Sequence, residues 1–532
     1  MAQSAHSHLG RSPAGLLIRI DPRARAGLQQ QIYTAIRRAI LDGVVAPGTQ
    51  LASSRALADD LCVSRTTTLL AYEQLTAEGY VTTRHGSGTF VAQVLPDDLS
   101  RVSAPRRVIR TKHPPLSRRG AALAATSAPP RRLPGPSRAF RLGAPALDLF
   151  PHRLWSQLVS RRLRSVTVAQ LDYSDPAGFQ GLREAIAHHV QAARGTRCTG
   201  DQVVVVAGAQ RGLEHICNFV LDPGDKAWLE EPGYFGARSA LVGAGARIVP
   251  VPVDDDGLDV REGMTRARDA RLVYATPSHQ FPIGVPMSLP RRLALLKWAS
   301  AAGAWVVEDD YDSEFRYGAR PVPCLHGLDT DGRVIYVGSF SKTLFPALRL
   351  GFLIVPADLR EPLLAGRRAA DVHPPLLEQT ALADLMAGGH FERHLRRMRA
   401  VYAERLEALG AAAERYCSGA LRLRPVRTGL HAVADLAGAS ADAVCREART
   451  RGVDVTSLSA YYLERPRGID GLVLGFGAVG PDGIRSGMER LAAAIEAANR
   501  PGRSAKAVAL RRGPSTETLR AHRGPSTETA GL

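Results

Sequence analysis

Only five of the chain's 69 basic side chains are lysines, and one of them, Lys342, sits in the stretch SFSKTLFPALRLG. A guanidinium stays charged in a protein, whereas a lysine amine can lose its proton on burial and attack a carbonyl carbon. Lys112, Lys226, Lys297 and Lys506 lie in a Pro/Arg-rich run, a DPGDK turn, a helical stretch beside Trp298 and the C-terminal tail, all places for solvated charge. Lys342 instead follows the apolar run VIYVGSF and stands among Ser339, Ser341 and Arg349, donors suited to an anionic group. Two other sites carry comparable chemistry. VVVVA is followed by Gly208-Ala209-Gln210 at the start of a helical pattern, where free backbone N–H groups favour phosphate. AWVV is followed by Glu308-Asp309-Asp310-Tyr311, and an acid at a buried strand end is costly unless it meets a cation.

These residues all follow short apolar runs, at 203–206, 271–275, 304–308 and 334–338, which alternate with Ala/Leu-rich helical patterns between about 140 and 500. That alternation predicts an α/β domain with a mainly parallel sheet, in which sites form at the carboxyl ends of strands. Phosphate donors, an acid for a ring nitrogen, a phenol and an amine are together what pyridoxal 5'-phosphate requires.

A different pattern occupies the first 95 residues. QQQIYTAIRRAILDGVV reads as an amphipathic helix, and SSRALADDLCVSRTTTLLAYEQLTAEGY as two helices around a tight turn. In this reading Ser54 and Ser64 are N-caps and Gly79 follows the last turn. YVTTRHGSGTFV then reads as a hairpin. Helix, helix-turn-helix and hairpin in this order predict a winged helix that binds double-stranded promoter DNA. Ser64, Arg65, Thr66 and Thr67 stand at the start of the recognition helix, Arg55 at the start of the preceding one, and Arg84, His85 and Gly86 at the wing tip.

At 532 residues the chain is long enough for two or three domains, and it has no apolar run of the ~20 residues needed to cross a bilayer. Its six cysteines show no metal or disulfide spacing, so no metal site is expected and the chain reads as cytoplasmic. The net charge of +18 is concentrated, with 15 of it between Arg101 and Arg141 and beyond residue 500. The predicted organisation is a disordered N-terminus at 1–14 and a winged helix at 15–95. A basic linker at 96–139, an α/β domain at 140–500 and a disordered tail at 501–532, with RGPSTET repeated, follow.

The segment PGTQLASSRALADDLCVSRTTTLLAYEQLTAEGYVTTRHGSGTFV resembles the DNA-binding domain of GntR-family regulators, with Cys62 where the turn usually has Gly. The large region resembles the fold type I aminotransferase-like domain, and the fusion is the arrangement of MocR/GabR-type regulators. The resemblance implies a homodimer, with Lys342 as the Schiff-base lysine, Asp309 as partner of the pyridine nitrogen, Tyr311 as donor to the ring hydroxyl and Tyr234 stacked on the ring. It implies a phosphate cradle of Ala209, Gln210, Ser339, Ser341 and Arg349, with Tyr173 reaching a neighbouring subunit's phosphate. His279 and Gln280 of the loop TPSHQFPIG are further candidates. Aminotransferases of this fold grip the substrate carboxylate with an arginine on a late strand, and the matching stretch here, GLVLGFGAV, has none. Arg427 and Arg238 are possible substitutes. The functions implied are a regulator sensing an amine, an amino acid or the cofactor itself, or an active aminotransferase carrying a DNA-binding head.

Overall fold

In the computed structural model the described residues are 9–11, 17–24, 26–84, 86–96, 116–126, 137–318, 322–464 and 471–499. The chain divides into two units, Met1–Pro115 and Leu116–Leu532. Among the described residues no helix is long and apolar enough to cross a membrane.

The first unit has a short hairpin of β1 (Leu9–Arg11) and β2 (Leu17–Arg19). The helices α1 (Leu28–Leu41), α2 (Ser54–Leu61) and α3 (Arg65–Ala77) follow, and then the wing, β3 (Val81–Arg84) paired with β4 (Gly88–Val91). Ile32, Ile36 and Ile40 recur along one face of α1 and are buried with Leu57, Leu61, Ala71 and Leu75. The caps refine the sequence reading by one residue. Ser53, not Ser54, caps α2, its hydroxyl accepting from Ala56 N at 3.1 Å, so that Ser54 is the first helical residue. Ser64 caps α3 as expected, accepting from Thr67 N at 3.1 Å. Cys62 closes α2 at φ 52° and ψ 43°, a left-handed conformation that disfavours a side chain.

In the second unit an eight-stranded sheet has the order β5-β12-β11-β10-β9-β6-β7-β8. Its strands are β5 (Val203–Val206), β6 (Lys226–Glu231), β7 (Arg247–Asp254), β8 (Gly257–Leu258), β9 (Leu272–Ala275), β10 (Trp305–Asp310), β11 (Val334–Ser339) and β12 (Gly351–Ile354). The central strands β7, β6, β9, β10 and β11 run parallel, and β12 runs against both β11 and β5. All four valines of β5 are fully buried, with Val203 and Val205 in one apolar cluster and Val204 and Val206 in another. Both faces of the sheet are therefore covered, which is why these strands read as unbroken apolar runs. A smaller antiparallel sheet follows, ordered β13 (Leu421–Leu423), β14 (His431–Leu436), β16 (Gly471–Gly475), β15 (Thr456–Ser457).

Two elements were not expected: β1 lies within residues 1–14, which were read as disordered, and a helix lies in the linker. Within the basic stretch read as linker, Ser117 caps a helix, Arg118–Ala125, which lies against the helix Phe235–Ala244. Residues 97–115 and 127–136 of that stretch, and the repeated tail, lie outside the described residues.

Candidate cofactor site and nucleic-acid interface

At the carboxyl end of β10, alternation of side chains puts Asp309 on the sheet face that carries Tyr274 of β9, and Glu308 and Asp310 on the other face. Asp309 is buried, and its Oδ2 accepts a 2.7 Å hydrogen bond from the Tyr274 hydroxyl of β9. Its Oδ1 is buried and has no hydrogen-bond partner among the described residues. Burial pushes the Asp309 carboxyl up to about 7; the Tyr274 hydroxyl works against this, and the nearby Asp310 and Asp312 add to it. An oxygen so placed calls for a cationic N–H donor, which is what a protonated pyridine nitrogen offers.

Lys342 lies in the turn after β11, and its Nζ donates to the carbonyl of Gly143 at 2.8 Å. Gly143 has φ +69°, a conformation that favours glycine, and a Cβ there would stand 2.7 Å from Nζ, so a side chain would displace the lysine end from this carbonyl. The turn Gly208-Ala209 after β5 starts the helix Ala209–Val220, whose first N–H groups have no partner within the helix. Arg349 rests beside it, donating to Ala207 O at 3.1 Å, and Ser339 Oγ accepts from Ser341 N at 3.1 Å. Gln210 donates from Nε2 to Gly236 O at 3.0 Å, so its side chain braces the loop while its backbone opens the helix. A Cβ on Gly351 would come within 3.0 Å of Ala209 N, so the adjoining strand is kept bare where these donors lie. The donor set and the orphaned Asp309 oxygen fit pyridoxal phosphate.

Tyr234 is roughly parallel to Tyr274, with ring centroids 6.5 Å apart. The Tyr311 hydroxyl donates to His279 O at 3.0 Å and lies 3.0 Å from His279 Nδ1, which is itself 2.9 Å from Asp312 Oδ1. Gln280 is buried, its Nε2 donating to the Pro232 and Phe281 carbonyls, both at 2.8 Å, and to Glu230 Oε2 at 3.2 Å. The sequence reading missed Gly143, Tyr274, Asp312 and His431. His279, Asp312 and His431 bring ligand-type atoms within 4.8 Å of one another. Those atoms are already engaged, since His431 Nε2 donates to Pro282 O at 3.0 Å and Asp312 Oδ2 accepts from Leu430 N at 3.2 Å. Burial, reinforced by His279, pushes His431 down to about 3, so its ring is neutral. The group reads as a hydrogen-bond chain behind Tyr311.

Tyr173 is 82 % exposed, its ring edge-to-face with His373 at a centroid distance of 6.4 Å, and no hydrogen bond of its hydroxyl is seen among the described residues. The two substitute arginines have other surroundings: Arg238 acts on Glu231, and Arg427 lines a pocket with Arg194, Arg292 and Arg316.

In the first unit Arg55, Ser64, Arg65, Thr66, Arg84 and Gly86 are exposed, and Thr67 is half-buried; His85 lies outside the described residues. The Ser64 and Thr67 hydroxyls lie 2.7 Å apart, so they stiffen the first turn of α3. The Arg84 guanidinium sits over the Phe90 ring at 4.9 Å. Leu69 and Leu70, 43 % and 44 % exposed on α3, were not anticipated as contacts. They fall outside the buried stripe Thr68, Ala71, Tyr72 and Leu75, which was the signal available in the sequence. Exposed apolar groups on such a helix suit thymine methyls.

Residues 28–91 match the family described as "Bacterial regulatory proteins, gntR family", and residues 161–469 match "Aminotransferase class I and II". The chain is 40 % identical over 485 residues to the probable rhizopine catabolism regulatory protein MocR of Rhizobium meliloti, covering 91 % of this chain and 97 % of that protein. It is 32 % identical to the HTH-type pyridoxine biosynthesis transcriptional regulator PdxR of Corynebacterium glutamicum, covering 89 % of this chain and 97 % of that one. Among solved structures it is similar to LysN, the α-aminoadipate aminotransferase of Thermus thermophilus, complexed with N-(5'-phosphopyridoxyl)-L-leucine. There the TM-score is 0.62 at 30 % identity, over 68 % of this chain and 92 % of that one.

Proposed function

The chain belongs to the MocR/GabR-type branch of the GntR regulators, and on that premise we propose that it is a transcription regulator. Its winged helix binds promoter DNA, and its aminotransferase-like domain senses an amine, an amino acid or pyridoxal phosphate itself. The single observation that carries the sensing is the contact between Lys342 and Gly143. The segment around Gly143 is where the chain enters the α/β domain, and it is joined to the smaller sheet, Gly475 N donating to Phe140 O at 3.0 Å. A change at the Lys342 amine is felt first by this segment.

When bound, pyridoxal phosphate supplies an aldehyde that condenses with amines and a ring that withdraws electrons. Lys342 would offer the amine that holds it, and Asp309 the carboxylate for its ring nitrogen. Tyr311, fixed by His279, would serve the ring hydroxyl, and Ala209, Gln210, Ser339, Ser341 and Arg349 would hold the phosphate. Tyr234 would lie against the ring. Lys342 Nζ would be the amine for which an incoming amine competes, and Gly143 O, its acceptor, would link that nitrogen to the entry segment. Such coupling between two sites is worth ~1–3 kcal/mol in typical regulators.

The second reading, a working aminotransferase with a DNA-binding head, needs the substrate carboxylate gripped so that the freed Lys342 stands over the α-carbon. Val433, Leu458, Tyr461 and Val473 instead form a buried apolar wall with Leu142, Phe235, Phe281 and Tyr462 packed on it. Phe281 joins that wall to the site, its ring centroid 5.7 Å from Tyr234 and 5.9 Å from Tyr311. This supports sensing over turnover. The test follows promoter affinity and product formation together, in protein mixed with candidate amines and a keto acid. We expect an amine that changes DNA affinity while product accumulates far more slowly than the ~10 per second of an ordinary enzyme. Sustained product near that rate would promote the aminotransferase reading. In Gly143→Ala the cofactor should still bind and the DNA response to the amine should be lost; an unchanged response removes the Gly143 route.

A further inference from the structure

The side chains of β10 that point away from Asp309 meet two buried guanidiniums. Arg194 Nε lies 2.6 Å from Asp310 Oδ2, and Arg292 Nη1 lies 3.8 Å from Glu308 Oε1. Beside this pair is a pocket of about 360 Å³, which Arg194 and Arg292 share with Arg316, Arg427, Ser278 and Thr428. That volume falls within the range of small-molecule sites. Among the described residues no acidic side chain lines it. Arg194 and Arg292 are each matched by an acid of β10. Arg316, however, donates from Nε only to the Ser313 carbonyl, at 3.0 Å, and neither it nor Arg427 has an acidic partner among the described residues. Two guanidiniums without acidic partners at one concavity make it electropositive, and their planar forks suit carboxylate or phosphate oxygens.

We propose that this pocket is a second ligand site, distinct from the one at Lys342, and that it binds a small polyanion of the phosphate-ester or polycarboxylate class through Arg316 and Arg427. The Ser278 and Thr428 hydroxyls lie at its wall. The assignment stands whether the chain is a regulator or an enzyme, because it rests on different residues. The pocket is also tied to the cofactor side by backbone. Ser278 precedes His279, which holds Tyr311; Arg316 is bridged to Thr428; and the Tyr317 hydroxyl donates to Gly429 O at 2.9 Å, beside Leu430, whose N–H holds Asp312. An anion drawn between Arg316 and Arg427 therefore pulls on the two segments that position His279 and Asp312.

The experiment uses full-length protein loaded with pyridoxal phosphate, titrated calorimetrically at fixed ionic strength with inorganic pyrophosphate and, separately, with citrate. We expect one saturable site for at least one probe, weakened about tenfold or more in Arg316→Gln and in Arg427→Gln. Arg422→Gln, which removes an exposed arginine paired with Asp435 elsewhere on the small sheet, should leave the affinity unchanged. Arg427→Lys, which keeps the charge and loses the fork, should fall between. Binding of pyrophosphate alone assigns the phosphate class, and of citrate alone the carboxylate class. Arg427 is exposed, so its variants decide the matter if Arg316→Gln fails to fold. Equal affinity in wild type and Arg427→Gln, or no saturable heat up to ~10 mM of either probe, overturns the proposal.

Discussion

Asp309 sits with one oxygen paired and one bare, and its proton has a thermodynamic consequence. Its folded-state value is raised from the ordinary 3.8 to about 7, so the folded chain binds this proton more tightly than the unfolded chain does. The stability it contributes is full below pH 3.8, drains as pH climbs towards about 7 and is gone above it. Between pH 5 and 7.5, cofactor-free wild type should lose more stability than cofactor-free Asp309→Asn, and pyridoxal phosphate should flatten the wild-type curve. Buried Glu314, also pushed up to about 7, adds the same slope to both proteins, whereas Glu230, raised in part by Asp309 itself, loses slope in the variant and adds to the difference. Parallel denaturation curves would sink this reading. The same variant should bind the cofactor ~10- to 100-fold more weakly, the worth of a hydrogen bond to a charged group. Lys342 and Asp309 were legible because their chemistry demands those residue types after apolar runs. Tyr274 and Gly143 were not, because nothing in LVYA or RLGAP marks a hydroxyl or a bare backbone that acts on a residue far along the chain.

At the scale of elements, α2 and α3 carry the clearest opportunity for measurement. Cys62 holds a left-handed turn that costs a side chain about 1 kcal/mol relative to glycine. Cys62→Gly should therefore slow hydrogen exchange of the α2 and α3 amides in the full chain by up to about fivefold; unchanged protection would mean the strain is absorbed elsewhere. On α3, Arg65→Ala should lose discrimination between cognate and scrambled duplexes, a good base contact being worth ~1–3 kcal/mol. Arg84→Ala should weaken both duplexes more evenly, because a wing arginine meets phosphates. Competition binding at fixed salt checks both, and intact discrimination in Arg65→Ala moves the readout to Thr66, Leu69 and Leu70. The winged helix was readable nearly whole, since caps, turn glycines and apolar spacing are local signals. The Arg118–Ala125 helix was hidden because Arg-rich flanks and prolines masked eight residues with one short apolar face.

At the scale of the molecule, Tyr173 tests assembly. If it completes the phosphate site of a second copy, Tyr173→Ala and Lys342→Ala are each defective alone, yet a mixed dimer regains one intact site from the Lys342 of one protomer and the Tyr173 of the other. Random equal mixing should restore about a quarter of the wild-type sites, by the symmetry of a two-fold dimer, read from borohydride-fixed cofactor on Lys342. No recovery would place Tyr173 in its own protomer's site or outside both. The parallel sheet was legible from its apolar runs, whereas the arginine pocket was not, because it depends on surfaces that separated segments make together. In β10 those surfaces meet in three consecutive letters. Glu308, Asp309 and Asp310 are all acids, so composition does not distinguish them; only their parity along the strand does. A one-residue insertion ahead of Val306 would preserve every side chain yet turn the strand over, presenting two carboxylates to the ring nitrogen and one to the paired arginines. This stretch therefore behaves like a reading frame: it should tolerate many spelling changes between related chains, and no change of length.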